Sequence, residues 1–160
     1  MDNDMPTFDA ILFPADDRPP HVVPLMTSAV PARTPGQPRP AEPYRCGRVP
    51  HPEIYMDYIA DQLGSWRYHL VEALDGMMNK FTTPYIAFYP VLSRDGMPFP
   101  VNKCIREIQG QMFDEGRAWR GNLVVAKYRD TNYSAMIDAS MADFPIIKNY
   151  LSTHPAPAYG

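Results

Sequence analysis

Cys104 is the side chain with the type and setting best suited to covalent chemistry. It falls in the first turn of Val101–Ile108, a segment with helical apolar spacing, where a helix dipole would favour a thiolate. The same spacing puts it in phase with Val101, Ile105 and Ile108, so the plainer reading is a small core residue. His69 and Glu72 stand three residues apart, with Asp61 two turns earlier on a helical reading, which makes half of a metal site. A site needs three or more ligands. The four histidines, at 21, 51, 69 and 154, are scattered, so no metal site and no cofactor is expected. Asp138 lies just past an expected strand end, a position that suits a catalytic carboxylate and equally a turn-forming one. Cys104, His69 and Asp138 are thus the catalytic candidates, each with a structural role beside the chemical one.

Binding chemistry has more material. Pro40, Pro43 and Arg45 match a PxxPxR pattern, in which a polyproline-II ridge fills an aromatic groove and the arginine meets an acidic pocket. Phe8, Ile11, Leu12 and Phe13 form an apolar island that either docks in a partner's groove or covers apolar surface on the chain's own domain. Phe8, Phe13, Pro40, Pro43 and Arg45 are therefore the binding candidates. Arg117, Arg120, Lys127 and Arg129 interleave with Trp119, Tyr128 and Tyr133, a mixture that can bind single-stranded nucleic acid by stacking and charge. Asp114, Glu115 and Asp130 cancel much of that field, so residues 117–133 are not expected to be a nucleic-acid site. The phosphate-binding glycine loops, the GxSxG nucleophile elbow and HExxH are all missing.

The elements that would carry these groups follow from composition. With 160 residues and a net charge of −3, the chain has length for one domain and no general basic field for nucleic acid. Its two cysteines, Cys46 and Cys104, form no CxxC pair, which argues against a disulfide framework or a structural zinc. No run of about 18 apolar residues occurs, and Asp2 and Asp4 make the start acidic, so a cytoplasmic or nuclear setting without targeting or transmembrane segment is expected.

Twelve of the nineteen prolines fall within residues 1–52. Each fixes φ and removes a backbone donor, so residues 1–52 read as a largely extended, proline-rich arm. Its first twenty residues carry −4 and the rest +3. Residues 53–154 then read as the globular domain, and 155–160 as a flexible tail. From Glu53, the spacing of Tyr55, Tyr58, Ile59, Leu63, Trp66, Leu70, Ala73, Leu74 and Met77 predicts an amphipathic helix. Tyr85–Leu92 is a strand running into the Ser93–Gly96 turn, and Asn102 and Gly110 bound a short helix. Leu123–Ala126 is a strand whose antiparallel partner is Tyr133–Ile137. Asp143 as a cap and Pro145 at the first helical turn open a last helix.

That order predicts an α+β fold: a small, mostly antiparallel sheet of three to four strands packed by two or three helices, behind an extended proline-rich arm. Ile86, Phe88, Val124, Ala126 and Ile137 are the expected sheet core, with Trp66, Leu70, Ile105 and Ile147 facing it from helices.

Asn102–Gly110, Trp119–Tyr128 and Asp143–Ile147 together resemble a group of short uncharacterised proteins from mushroom-forming (basidiomycete) fungi, over about residues 83–153. The resemblance implies a fungal setting and no activity, cofactor or site. The functional expectation is a non-enzymatic interaction module that engages another protein chain through its arm or apolar surface. The alternatives are a small enzyme or ligand binder with a tyrosine-lined pocket, drawing on ten tyrosines and ten methionines, and a weak single-strand binder through 117–133.

Overall fold

In the computed structural model, residues 6–30, 36, 42–45, 47–72 and 82–157 are described. Apolar residues occupy every position of Tyr85–Pro90, and almost every position of Leu123–Tyr128, because both faces of these strands are covered. They are β5 and β6 of one antiparallel sheet. The other strands are β1 (Thr7–Phe13), β2 (His21–Ala29), β3 (Arg48–Pro50), β4 (Trp66–Val71) and β7 (Met136–Ile137). The order across the curled, seven-stranded sheet is β3-β2-β1-β6-β5-β4, and β7 pairs with β6 beside β1.

Strand alternation divides the core in two. Ile11, Phe13, Tyr85, Ala87, Tyr89, Leu123 and Val125 point to one face, where α1 (Lys103–Gln109) and α2 (Phe144–Thr153) supply Ile105, Ile147 and Leu151. Ala10, Leu12, Leu25, Ile86, Phe88, Val124 and Ala126 point to the other, which Tyr44, Tyr55, Met56 and Ile59 cover. Ile105 and Ile147 therefore pack on the face opposite Ile86, Phe88, Val124 and Ala126, and Ile137 is only half-buried.

The expected fold class is corrected on three counts. The sheet has seven strands, not three or four, and only two short α-helices occur among the described residues. The proline-rich start is not an arm: β1 lies inside the sheet between β2 and β6, with Ile11 and Phe13 fully buried. Among the described residues its prolines occupy permitted places. Pro14, Pro19 and Pro20 lie in the β1–β2 connection, and Pro24 precedes the stretch 27–29 where β3 pairs with β2.

The third correction is the helix over 53–77. Its described part is a 3-10 turn, Pro52–Tyr55, then a loop, then β4. Tyr58 and Gly64 both have positive φ, at 61° and 82°, which breaks any helix there. Trp66, Tyr68 and Leu70 share one face of β4 as naturally as Trp66 and Leu70 share a helix face. Residues 73–77 of that expectation lie outside the described residues. Past α2, Ala156 is fully buried and its N–H donates to Arg117 O at 2.9 Å, so part of the expected tail belongs to the core.

Two buried asparagines fix the end of the sheet where β1 runs out and β6 begins. Asn102 caps α1, its side chain accepting from Ile105 N–H at 3.0 Å. Its amide donates to Phe13 O at 2.8 Å and Gly121 O at 2.9 Å. Asn122 accepts from Ala15 N–H and donates to Tyr55 O, both at 2.7 Å.

Candidate recognition groove

At that same end of the sheet, the segment after β1, the segment after β5 and the turn before β6 surround a cavity of about 350 Å³. Its base needs a glycine. Gly121 has φ 76°, and a Cβ there would stand 2.5 Å from Pro90 Cγ. Phe99, Pro98, Pro100 and Met97 give it an apolar wall, and Tyr58 stands opposite, two-thirds exposed. Tyr58 is held in the left-handed region at a cost of about 1–2 kcal/mol. Pairing with the segment after β5 fixes it: Arg94 N–H donates to Tyr58 O at 2.8 Å, and the Arg94 guanidinium lies 5.4 Å from its ring centroid.

The charge of the cavity is acidic. Asp16, Asp57 and Asp95 line it with Lys103, and Arg18 behind the lining forms an ion pair with Asp16 at 3.0 Å, so Asp57 and Asp95 carry its negative charge. Asp95 accepts from Met97 N–H at 3.0 Å and from Ser93 Oγ at 3.1 Å, an Asx turn that shapes the apolar wall. Those bonds hold its carboxyl below the usual range. Asp16 is lowered by hydrogen bonds from the Arg18 guanidinium and backbone N–H. Lys103 Nζ stands 3.4 Å from the Asp17 carboxylate. The cavity therefore offers apolar and aromatic walls beside the carboxylates of Asp57 and Asp95.

The catalytic candidates are not brought together. Cys104 is half-buried against the helix-side core; burial pushes its thiol up and Glu107 adds to the shift, opposite to what a nucleophile needs. His69 lies on β4, not a helix, so His69 and Glu72 point to opposite faces and cannot share a metal. His69 Nε2 is 2.7 Å from Tyr150 Oη, while Glu72 accepts from Tyr133 Oη at 2.5 Å. Burial lowers the His69 pKa, and His154 nearby adds to it. Asp138 is exposed and accepts from Asp9 N–H at 2.9 Å, while Ala139 N–H donates to Asp9 O at 2.8 Å, so it continues the pairing of β1 beyond β7. Among the described residues no group of three His, Cys, Asp or Glu could hold a metal.

The binding candidates are placed differently from expectation. Pro43 and Arg45 belong to a 3-10 turn rather than a free polyproline-II ridge, and Pro40 lies outside the described residues. Tyr44 between them packs on Tyr68, Trp66 and Phe88, with ring centroids 5.0–5.5 Å apart. Phe13 is fully buried and stacks on Phe144, which removes it as a docking residue; Phe8 is half-buried. Trp119, Tyr128 and Tyr133 are all buried, so the 117–133 segment presents none of these rings for stacking on bases.

Sequence reasoning missed Asp16 and Asp57 and put Tyr58 on the apolar face of a helix; all three gain meaning only when three strand ends meet. It also gave Asp143 a capping role for α2, where its side chain makes no cap. Asp143 is instead a buried hub, 2.9 Å from Lys127 Nζ, accepting from Tyr85 Oη at 2.7 Å and Ser140 N–H at 2.9 Å. Burial alone would raise its carboxyl, but the bonds from Lys127, Tyr85 and Ser140 outweigh this and hold it low.

No known protein family, curated protein or solved structure matches this chain. Among the described residues no helix is long and apolar enough to cross a membrane. The class that fold and site define is an antiparallel, curled-sheet protein with an acidic, aromatic-walled groove at one sheet end.

Proposed function

We propose that this protein is a recognition module whose groove takes a proline-rich, arginine-bearing segment of another protein chain. One observation carries the reading: Tyr58, Phe99, Pro98 and Pro100 line the same cavity as Asp16, Asp57 and Asp95. Polyproline-II segments are read by aromatic walls, and an arginine at their end by carboxylates. The groove is also of the size that small binding sites have. The chain's own Pro43–Arg45 is folded into a turn, so the protein acts as reader of such a motif and not as its bearer.

Fluorescence anisotropy with a short proline-rich peptide carrying one arginine tests this. Wild-type protein binds it, and changing the peptide's arginine to glutamate weakens binding at least ~10-fold, the scale of one charge-assisted contact. Equal binding of the arginine and glutamate peptides, or of neither, overturns the proposal.

A further inference from the structure

At the sheet edge formed by β2 and β3, Ser28 and His51 meet Glu53 of the following 3-10 turn in an arrangement suited to acyl transfer. His51 Nε2 is 2.9 Å from Ser28 Oγ. His51 Nδ1 is 3.6 Å from Glu53 Oε2. The two ring nitrogens thus have different partners. With the proton on Nδ1 facing the carboxylate, Nε2 is left to accept from the Ser28 hydroxyl, which is the division of labour a nucleophile, base and orienting acid require.

The backbone sets this arrangement. Ser28 is opposite Val49 in the β2–β3 register, and His51 N–H donates to Met26 O at 2.9 Å, continuing that register by one more pair. Ser28 and His51 are therefore diagonal neighbours on one face of the pair. Pro52 fixes the chain that carries Glu53 into its 3-10 turn. His51 and Glu53, though not Ser28, also line a cavity of about 550 Å³ with Tyr44, Ile59 and Trp66 as apolar walls and Arg45 as the one arginine or lysine of its lining. The His51 and Glu53 side chains are 28% and 41% exposed, so water reaches them.

We propose that Ser28, His51 and Glu53 form a catalytic triad that hydrolyses small carboxylic esters, an activity separate from peptide recognition in the groove. Ser28 Oγ attacks the ester carbonyl carbon as its proton passes to His51 Nε2, and the carbonyl π pair moves to oxygen. Collapse of that adduct breaks the bond to the alcohol oxygen, which leaves with the proton from Nε2, and Ser28 is acylated. Water then attacks the acyl carbon while giving a proton to Nε2. Release of the carboxylic acid returns that proton to Ser28 Oγ, and enzyme and water balance over the cycle. Glu53 offsets the charge on the imidazolium in both halves.

The test treats the full chain with a fluorophosphonate, which traps activated serines, and follows p-nitrophenyl acetate hydrolysis in parallel. The proposal expects a single adduct, mapped by peptide mass to Ser28. It expects labelling to be abolished in Ser28→Ala, slowed at least ~100-fold in His51→Gln, and slowed less in Glu53→Gln. No adduct on wild-type protein, an adduct at another residue, or ester hydrolysis unchanged in a folded Ser28→Ala protein overturns it. The mapped adduct on wild-type protein decides the matter even where a variant fails to fold.

Discussion

The N-terminal third and the region after Tyr85 contribute to the same sheet by opposite routes. In the later region, local signals and tertiary packing agree. Asn102 caps α1 and Gly110 ends it, and the continuous apolar runs of β5 and β6 lie where both sheet faces are buried. In the N-terminal third, proline density argues against any strand, yet β1 has neighbours on both sides and β2 pairs along most of its length. Proline excludes strands by position rather than by number: it is harmful where its missing N–H would face a neighbour, and harmless in connections or beyond a ladder's end.

The largest break in this comparison comes from removing the N-terminal third. A chain beginning at Glu53 lacks β1, β2 and β3 and exposes β6 along the stretch that pairs with β1. It is expected to show neither a dispersed amide NMR spectrum nor a cooperative melt. An autonomous, well-dispersed fragment would restore the reading of residues 1–52 as an arm. Within the full chain, Phe13→Ala is expected to cost about 3–5 kcal/mol in urea unfolding, as for other fully buried aromatic side chains.

Next in size is the joint between the two regions. Asn102→Ala removes the cap of α1 and leaves Phe13 O and Gly121 O without their donor. A loss of about 3 kcal/mol is expected, combining a cap with buried unsatisfied carbonyls. A loss below about 1 kcal/mol would mean that solvent reaches this joint.

Smaller effects follow from pH. The folded state holds Asp143 below its ordinary pKa of 3.8, so the stability it contributes is present above that value and is lost as pH falls through the folded one. His69 is also lowered, from 6.5, but with the opposite charge change. The unfolded chain takes up its proton first, so its contribution is complete above pH 6.5 and declines below it. Unfolding free energy measured against pH is expected to start falling near 6.5 and to fall again below about 4. His69→Gln should remove the first decline and leave the second. Loss of both declines in that variant would contradict the assignment.

How much was legible in the sequence follows the same division. α1, β5, β6, the short β7 and α2 are written in local patterns: cap, stop, β-rich run, turn and proline at a first helical turn. β4 was not legible because Trp66 and Leu70 satisfy both periods, and only its pairing with β5 decides between them. Asp16, Asp57 and Tyr58 lie far from Phe99 and Asn122 in sequence and meet only because β1, β5 and β6 end together. Ser28 and His51 are 23 residues apart and are joined by strand register alone, though His51 and Glu53 two residues apart were a visible hint. Cys104, His69 and Asp138 drew attention as residue types, but burial and strand geometry give them structural work.

In an acidic groove that reads a basic proline-rich segment, Asp57 is the carboxylate most open to a ligand: it lines the cavity from an exposed loop, and only the more distant Arg18 acts on it electrostatically. Titration of a short proline-rich, single-arginine peptide against wild type and Asp57→Lys is the measurement, with the thermal melt of each protein as control. The account predicts binding to wild type that weakens with salt, and at least ~10-fold weaker binding to a variant that melts at the same temperature. Undiminished binding to Asp57→Lys would contradict it.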